Sequence, residues 1–274
     1  MTTAYAPAAV TLVFSPTMGA RPEEARSPGL AVALDPGVTA EVAPAAVRET
    51  TMNGAALRIA AVDGVLDRLG VAGARVALRT EFPLGCGFGI SAASALSTAL
   101  AANGAFGLGL TPEACALAAH LADVAAGTGI GGVASQFVGG VVLRRAESGP
   151  FDVERLDAAP TPLSFLAFDP LSTEAMLRDA ARLTAIRAAA AAPLAAYLAR
   201  RGPVDLAALF DDALGFARAG GFLTDPRVAA AVDAVRAAGG RATMCMVGAS
   251  VLATRAPADG RPWRPCAVAA RGAR

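Results

Sequence analysis

Three glycines and a serine carry the first chemical signal. Pro83-Leu-Gly-Cys-Gly-Phe-Gly-Ile-Ser-Ala-Ala-Ser-Ala95 follows a strand-like run and leads into an alanine-rich helical one. Glycines at 85, 87 and 89 let the backbone turn tightly and approach a ligand closely. A helix that opens just after them points free N–H groups and the positive end of its dipole at the loop, a geometry that binds phosphate. Ser91 stands at the helix start, where its hydroxyl can reach a phosphate or a metal ion. The same glycines suit a ligand-free turn between a strand and a close-packed helix, and both readings stand on these residues alone. Gly87-Phe-Gly89-Ile-Ser-Ala92 also satisfies GxGxxA, the dinucleotide fingerprint, which needs a second strand ending in an acid about 20 residues on. The acid found there is Glu113, in the first turn of a helix opened by Thr111-Pro112, so the context is wrong.

Other chemistries are excluded by what the chain lacks. None of its 24 basic residues is lysine, which removes Schiff-base catalysis and the GxxxxGK[ST] phosphate loop. His120 is the single histidine, so a histidine-rich zinc site is impossible and any Ser-His or Cys-His pair must use it. It lies in an amphipathic run, Glu113 to Val124, where a surface or satisfied core residue is the simpler reading. Cys86, Cys115, Cys245 and Cys266 have no CxxC spacing and read as reduced core thiols. A net charge of +1 gives no electrostatic reason for nucleic acid or an anionic membrane as partner. The chain is 54% hydrophobic and only 17% charged, too apolar to be disordered. Its charge-free stretches, Phe82 to Pro112 and Val124 to Leu143, are rich in Gly, Ala, Ser and Thr, unlike a spanning helix. The start, Met1 to Ala6, has neither a basic nor a long apolar run, so the expectation is a cytoplasmic chain without a signal peptide.

The elements that must position these residues follow from periodicity. Ala8 to Phe14 reads as a strand, and Leu30 to Leu34 and Val38 to Val42 as two strands reversed at Asp35-Pro-Gly37. Ala55 to Leu69 has helical spacing and ends at Gly70, a C-cap. Ala74 to Glu81 alternates as a strand, and Ser91 to Asn103 continues as a helix. Thr111-Pro112-Glu113 opens another with a cap, a Pro at N1 and an acid in the first turn. A second glycine stretch, Gly127 to Gly132, precedes Val133 to Arg144, which ends as a strand. The polar, Pro-punctuated stretch from Glu147 to Pro162 reads as a domain boundary. Beyond it a strand is expected at Leu163 to Phe168. Helices are expected over Thr173 to Arg200, Asp205 to Arg218 and Arg227 to Ala238, then strands at Ala242 to Val247 and Val251 to Thr254. The Pro- and Arg-rich tail, Arg255 to Arg274, reads as peripheral. Strands and helices mix without a strict βαβ rhythm, which suggests α+β packing.

Pro83-xxx-Gly87-Phe-Gly89-Ile-Ser91-Ala-Ala93 resembles the PxxxGLGSSAA loop of the GHMP kinase superfamily, which includes galactokinase and the homoserine, mevalonate and phosphomevalonate kinases. Ala6-Pro7-Ala-Ala-Val-Thr-Leu-Val-Phe14 looks like the family's opening strand, and Ala242-Thr-Met-Cys-Met-Val-Gly-Ala-Ser250 like its third motif in diverged form. Within the superfamily, residues 85–95, 119–124, 127–136 and 139–140 look most like archaeal-type pantoate kinases. The resemblance implies a two-domain α+β fold: an N-terminal α/β ATP-binding domain over 1–150 and a C-terminal ferredoxin-like domain over 151–274. It implies ATP on Pro83, Gly85, Gly87, Phe88, Gly89, Ile90, Ser91, Ala92 and Ala93, with Mg²⁺ held by Ser91 and Asp123, which are also the implied catalytic residues. Asp123 stands where the family usually has Glu; without the resemblance it reads as an exposed acid on a helix face. The implied activity is ATP-dependent phosphorylation of a small hydroxy acid or polyol, with pantoate, a coenzyme A precursor, as first candidate. A methanopterin-pathway enzyme similar to β-ribofuranosylaminobenzene 5′-phosphate synthase and a catalytically silent nucleotide-binding protein are the alternatives. A homodimer is left open. Three departures bear on the alternatives. Gly132 replaces the Asp that is the candidate base in many members, Ala9 replaces a Lys or His, and Ser27-Pro-Gly-Leu-Ala31 replaces a basic stretch.

Overall fold

The structure is a computed structural model that describes residues 1–159, 161–170, 179–200 and 202–274. Its centre is a pair of long antiparallel strands, β1 (Thr2–Phe14) and β2 (Gly29–Pro44). The turn expected at Asp35-Pro36-Gly37 is not a turn. β2 continues through it, and residues 35–37 bulge opposite Pro7, because the register passes from Ala6↔Val38 to Ala8↔Leu34. Neither proline can donate to a ladder, so the pairing skips both. Gly37 is required by close approach: a Cβ there would fall 2.1 Å from the Ala6 carbonyl oxygen.

The helix expected from Ala55 also starts later. β3 (Glu49–Met52) and β4 (Ala55–Ala56) form a hairpin over Asn53 and Gly54, both at positive φ, and α1 begins only at Ala60 (Ala60–Arg68). β5 (Ala74–Thr80) then pairs with β2. Three helices follow: α2 (Ile90–Phe106), α3 (Pro112–Ala125) and the short α4 (Gly132–Val138). The α3 cap is as expected, with Thr111 Oγ1 accepting from the Ala114 N–H at 3.2 Å. α2 is buried on nearly every side, and its Ala, Ser and Thr side chains are small enough to pack between the sheet and its neighbour helices. That packing accounts for the charge-free stretches. Among the described residues no helix is long and apolar enough to cross a membrane.

The chain continues through β6 (Val141–Arg144), β7 (Val153–Leu156) and β8 (Pro162–Ala167). Next come α5 (Ala180–Ala199), α6 (Leu206–Ala219) and α7 (Pro226–Ala237), opened by the carboxylates of Asp179, Asp205 and Asp225, each accepting a first-turn N–H. The beginning of the helix expected from Thr173 lies outside the described residues. β9 (Ala242–Met244) and β10 (Ser250–Ala253) form an antiparallel pair.

The tail is not peripheral. Arg264–Val268 forms β11, which pairs with β8 on one side and β2 on the other. One sheet therefore runs β4-β3-β5-β2-β11-β8-β10-β9, with β1 and β6 also on β2 and β7 on β6. All pairs are antiparallel except β3–β5. Farther along, Arg274 and Tyr5 exchange both backbone hydrogen bonds, at 2.9 and 2.7 Å. The proline and arginine content of the tail concealed a strand with a single arginine, Arg264, which stacks on Phe165 and pairs with Glu81. All four cysteines are free, and burial pushes their thiol pKa values up.

Candidate functional site

A cavity of about 380 Å³ opens where the glycine loop, the end of α3, the 127–132 loop and the Met246–Val247 segment meet. Leu84, Gly85, Gly87, Gly89, Ile90, Ser91 and Ala92 form one wall. Gly89 is the N-cap of α2 in the left-handed conformation, no side chain caps the helix, and its first turn carries no acid. The first-turn N–H groups therefore have no intrahelical partner and lie beside the cavity. Of the other residues implied for ATP, Phe88 turns into the core against Phe82 and Phe165, and Ala93 is fully buried. Pro83, Phe88 and Ala93 are not among the lining residues.

The glycines serve the protein's own packing as much as any ligand. Gly85, Gly87 and Gly89 all have positive φ. A Cβ at 85 would meet Pro170 at 2.7 Å, and one at 87 the Cys245 carbonyl oxygen at 2.8 Å. At 89 it would meet Gln136 Nε2 at 2.9 Å. The late motif buttresses the loop from the other side: Gly248 abuts the Cys86 backbone, and Ser250 Oγ donates to the Cys86 carbonyl.

Asp123 is not an exposed helix-face acid; it is 2% exposed, at the cavity wall. Thr128 Oγ1 donates to Asp123 Oδ1 at 2.6 Å, and Ser91 Oγ donates to Thr128 Oγ1 at 3.1 Å. Burial raises the Asp123 pKa to about 6, against the opposing effect of hydrogen bonds from Thr128 and Ser91. These are hard oxygen donors of the kind Mg²⁺ takes, one carboxylate and hydroxyls, with room left for phosphate oxygens and water. Among the described residues no group of three or more His, Cys, Asp or Glu could hold a metal by itself. The residues fit a magnesium ion that shares its coordination with a bound nucleotide.

The sequence reading missed a buried cation that lines the same cavity. Arg144, the last residue of β6, is 2% exposed and lines the cavity. Its Nε donates to the Ser27 carbonyl at 2.9 Å and its Nη1 to Ser135 Oγ at 2.8 Å. No carboxylate pairs with it among the described residues. Burial pushes its pKa down to about 10, which leaves it protonated at neutral pH. Gly131 is a glycine because a Cβ there would strike Arg144 Nε at 2.7 Å. An arginine closing an otherwise apolar run, Val141-Val-Leu-Arg144, was the available signal.

His120 is buried and outside the cavity lining, its ring edge-on to Phe151 at 6.0 Å and its pKa lowered to about 4 by burial. It is a core residue, but not a satisfied one: Nε2 has no partner among the described residues. Gly132 opens α4 without positive φ, and a Cβ there would meet only Ala92, at 3.1 Å.

The family profile described as GHMP kinases N terminal domain matches residues 56–140. The chain is 28% identical over 183 residues to the pantoate kinase of Methanospirillum hungatei, covering 64% of this chain and 63% of that one. It is 30% identical over 156 residues to the pantoate kinase of Methanocaldococcus jannaschii, covering 56% of each. The matched region thus spans less than two thirds of either relative. A solved phosphotransferase related to the CoA biosynthesis pathway superposes over 99% of this chain and 97% of its own, with TM-score 0.83 and 23% identity. Homoserine kinase from Cytophaga hutchinsonii superposes over 100% and 96%, with TM-score 0.65 and 18% identity. Residues 56–140 are thus similar to the GHMP kinase N-terminal domain, and the chain as a whole has the fold of these kinases.

Proposed function

We propose that this protein is an ATP-dependent kinase of a small hydroxy acid, with pantoate the first acceptor to test and 4-phosphopantoate the product. The observation that carries the reading is the buried guanidinium of Arg144, which has no acidic partner among the described residues and lines the cavity that α2 and the Ser91–Thr128–Asp123 chain also line. An unpaired buried cation calls for an anion, and a carboxylate meets an arginine fork in bidentate fashion. A hydroxy acid brings that carboxylate together with the hydroxyl to be phosphorylated. The two curated relatives, both named pantoate kinase, support the same choice.

In this reading the first-turn N–H groups of α2 hold the triphosphate, and Ser91 and Asp123 hold Mg²⁺. When bound, the metal neutralises charge on the phosphoryl group being transferred. Arg144 anchors the acceptor and sets the direction of its hydroxyl. Phosphoryl transfer asks chiefly for alignment and charge stabilisation, so this arrangement can work without a carboxylate at position 132, at reduced rate. We further divide the chain into a nucleotide-binding domain over 1–150 and a C-terminal domain over 151–274, and place it in the cytoplasm.

The experiment is ATP consumption with pantoate and a panel of hydroxy acids and polyols, with the product identified by mass. Turnover confined to acceptors that carry a carboxylate supports the reading; turnover of neutral polyols alone refutes it. Gly132 and Ala9, where the superfamily has an Asp and a Lys or His, favour a second reading, a silent nucleotide binder. Tight ATP binding without turnover of any acceptor would establish that one.

A further inference from the structure

We propose that Thr128 is a positioning residue that fixes Ser91 and Asp123 as a pair of cation ligands. The inference rests on the kinase reading above, in which those two residues hold the metal. A threonine hydroxyl has one proton and two lone pairs. Thr128 spends its proton on Asp123 Oδ1, at 2.6 Å, and accepts the proton of Ser91 Oγ, at 3.1 Å. Ser91 is also within hydrogen-bonding reach of Asp123, so its one proton stays inside this group of three side chains and its lone pairs are left for the cavity. It is thereby set to ligate a cation rather than to donate to a phosphate oxygen.

The backbone reinforces the arrangement. The Thr128 N–H donates to the Asp123 carbonyl oxygen at 3.1 Å, closing the end of α3. Gly129 keeps the space beside the other carboxylate oxygen free, where a Cβ would fall 2.5 Å from Oδ2. The carboxylate is thus held by a hydroxyl at one oxygen and left without a side chain beside the other. Aspartate is one methylene shorter than glutamate and reaches less far. Magnesium tolerates little error in ligand geometry, so a short ligand gains from being fixed in a single rotamer. Losing a partner that orients a metal ligand costs typically 10–100-fold in metal affinity.

The test compares Thr128→Ala with Thr128→Ser, which both lack the methyl group and differ only by the hydroxyl. Mn²⁺ binding is measured by water-proton relaxation in the presence of a non-hydrolysable ATP analogue, and analogue binding is measured separately in EDTA. Thr128→Ala is expected to weaken Mn²⁺ about tenfold or more, with Thr128→Ser at the wild-type value and metal-free nucleotide binding unchanged in both. Equal Mn²⁺ affinity in the two variants overturns the inference. So does an equal loss of metal-free nucleotide binding, which would place the effect in the loop rather than in the ligand pair. Ser91→Ala and Asp123→Asn separate the two levels. If both weaken Mn²⁺ and Thr128→Ala does not, only the role of Thr128 falls; if neither does, the metal assignment falls and takes Thr128 with it.

Discussion

Gln136, inside α4, donates from Nε2 to the carbonyl oxygen of Gly89, the N-cap of α2, at 2.8 Å. The helix after the second glycine stretch therefore holds the first glycine loop in place. The contact bears directly on what a substitution in that loop does. Gly89→Val meets Gln136 Nε2 at 2.9 Å and the Ala9 carbonyl oxygen at 3.1 Å, at a φ of +64°. It is expected to cost about 2–4 kcal/mol of stability as well as nucleotide binding. Gln136→Leu removes one of two donors to the Gly89 carbonyl, which keeps the Ala93 N–H at 3.0 Å, and is expected to cost about 0.5–1.5 kcal/mol. Denaturant unfolding with and without ATP checks both. A Gly89→Val protein as stable as wild type would show that the loop is free of these contacts.

Asp123 makes stability depend on pH. Its folded pKa, about 6, lies above the ordinary 3.8, so the folded state holds the extra proton between those values. Stability from this group is full below the lower value and is lost as pH rises through the upper one, by about 3 kcal/mol in all. Asp123→Asn is expected to flatten that segment of the profile and to leave the nucleotide-free protein at least as stable at pH 7. Thermal melts from pH 4 to 7 measure it, and a wild-type profile that rises over this range contradicts the assignment.

Arg144→Met removes the cation while keeping most of the volume. It is expected to raise the KM for a carboxylate acceptor about 10–100-fold with ATP binding retained, and to change stability by no more than about 1–3 kcal/mol, because relief of the buried charge opposes the loss of its hydrogen bonds to Ser27 and Ser135. An unchanged acceptor KM would separate Arg144 from acceptor recognition.

Gly132→Asp places an acid at the position where the motif that residues 127–136 resemble carries one. The position is helical and open except toward Ala92, so the loop should tolerate the side chain. General-base assistance is worth typically 10²–10⁴-fold, and a kcat gain of about tenfold or more is expected even with imperfect placement. Unchanged kcat with intact ATP binding would show that the reaction here has no use for a base at 132.

The glycine loop, the helix after it and the Thr111-Pro112 cap were legible in the sequence because each rests on local chemistry: positive φ, a free helix end, a side-chain cap. The burial of Asp123 was not legible. A carboxylate four residues before a glycine stretch looks exposed until the neighbouring helices and the 127–132 loop close around it. Arg144 was missed for the same reason, since its isolation depends on Ser27 and Ser135, brought in from distant segments. Asp35-Pro36-Gly37 misled because a bulge and a turn use the same residues, and only the facing strand decides between them. The tail misled because its strand is defined by two neighbours and not by its own alternation.

The place of β11 also makes the C-terminal segment a separable part. Its partners are β8 on one edge and β2 on the other, with further backbone bonds from Ala269 to Ala33, from Gly140 to Ala269 and between Arg274 and Tyr5. Its covalent connection runs through Ala258, Asp259 and Gly260, all exposed. A cut there leaves every one of those bonds in place, so the nicked halves should elute together. A synthetic peptide of residues 261–274, added to a chain ending at 257, should restore the missing strand and with it nucleotide binding. The protein would then work as a two-piece reporter, with assembly read out by the cavity itself.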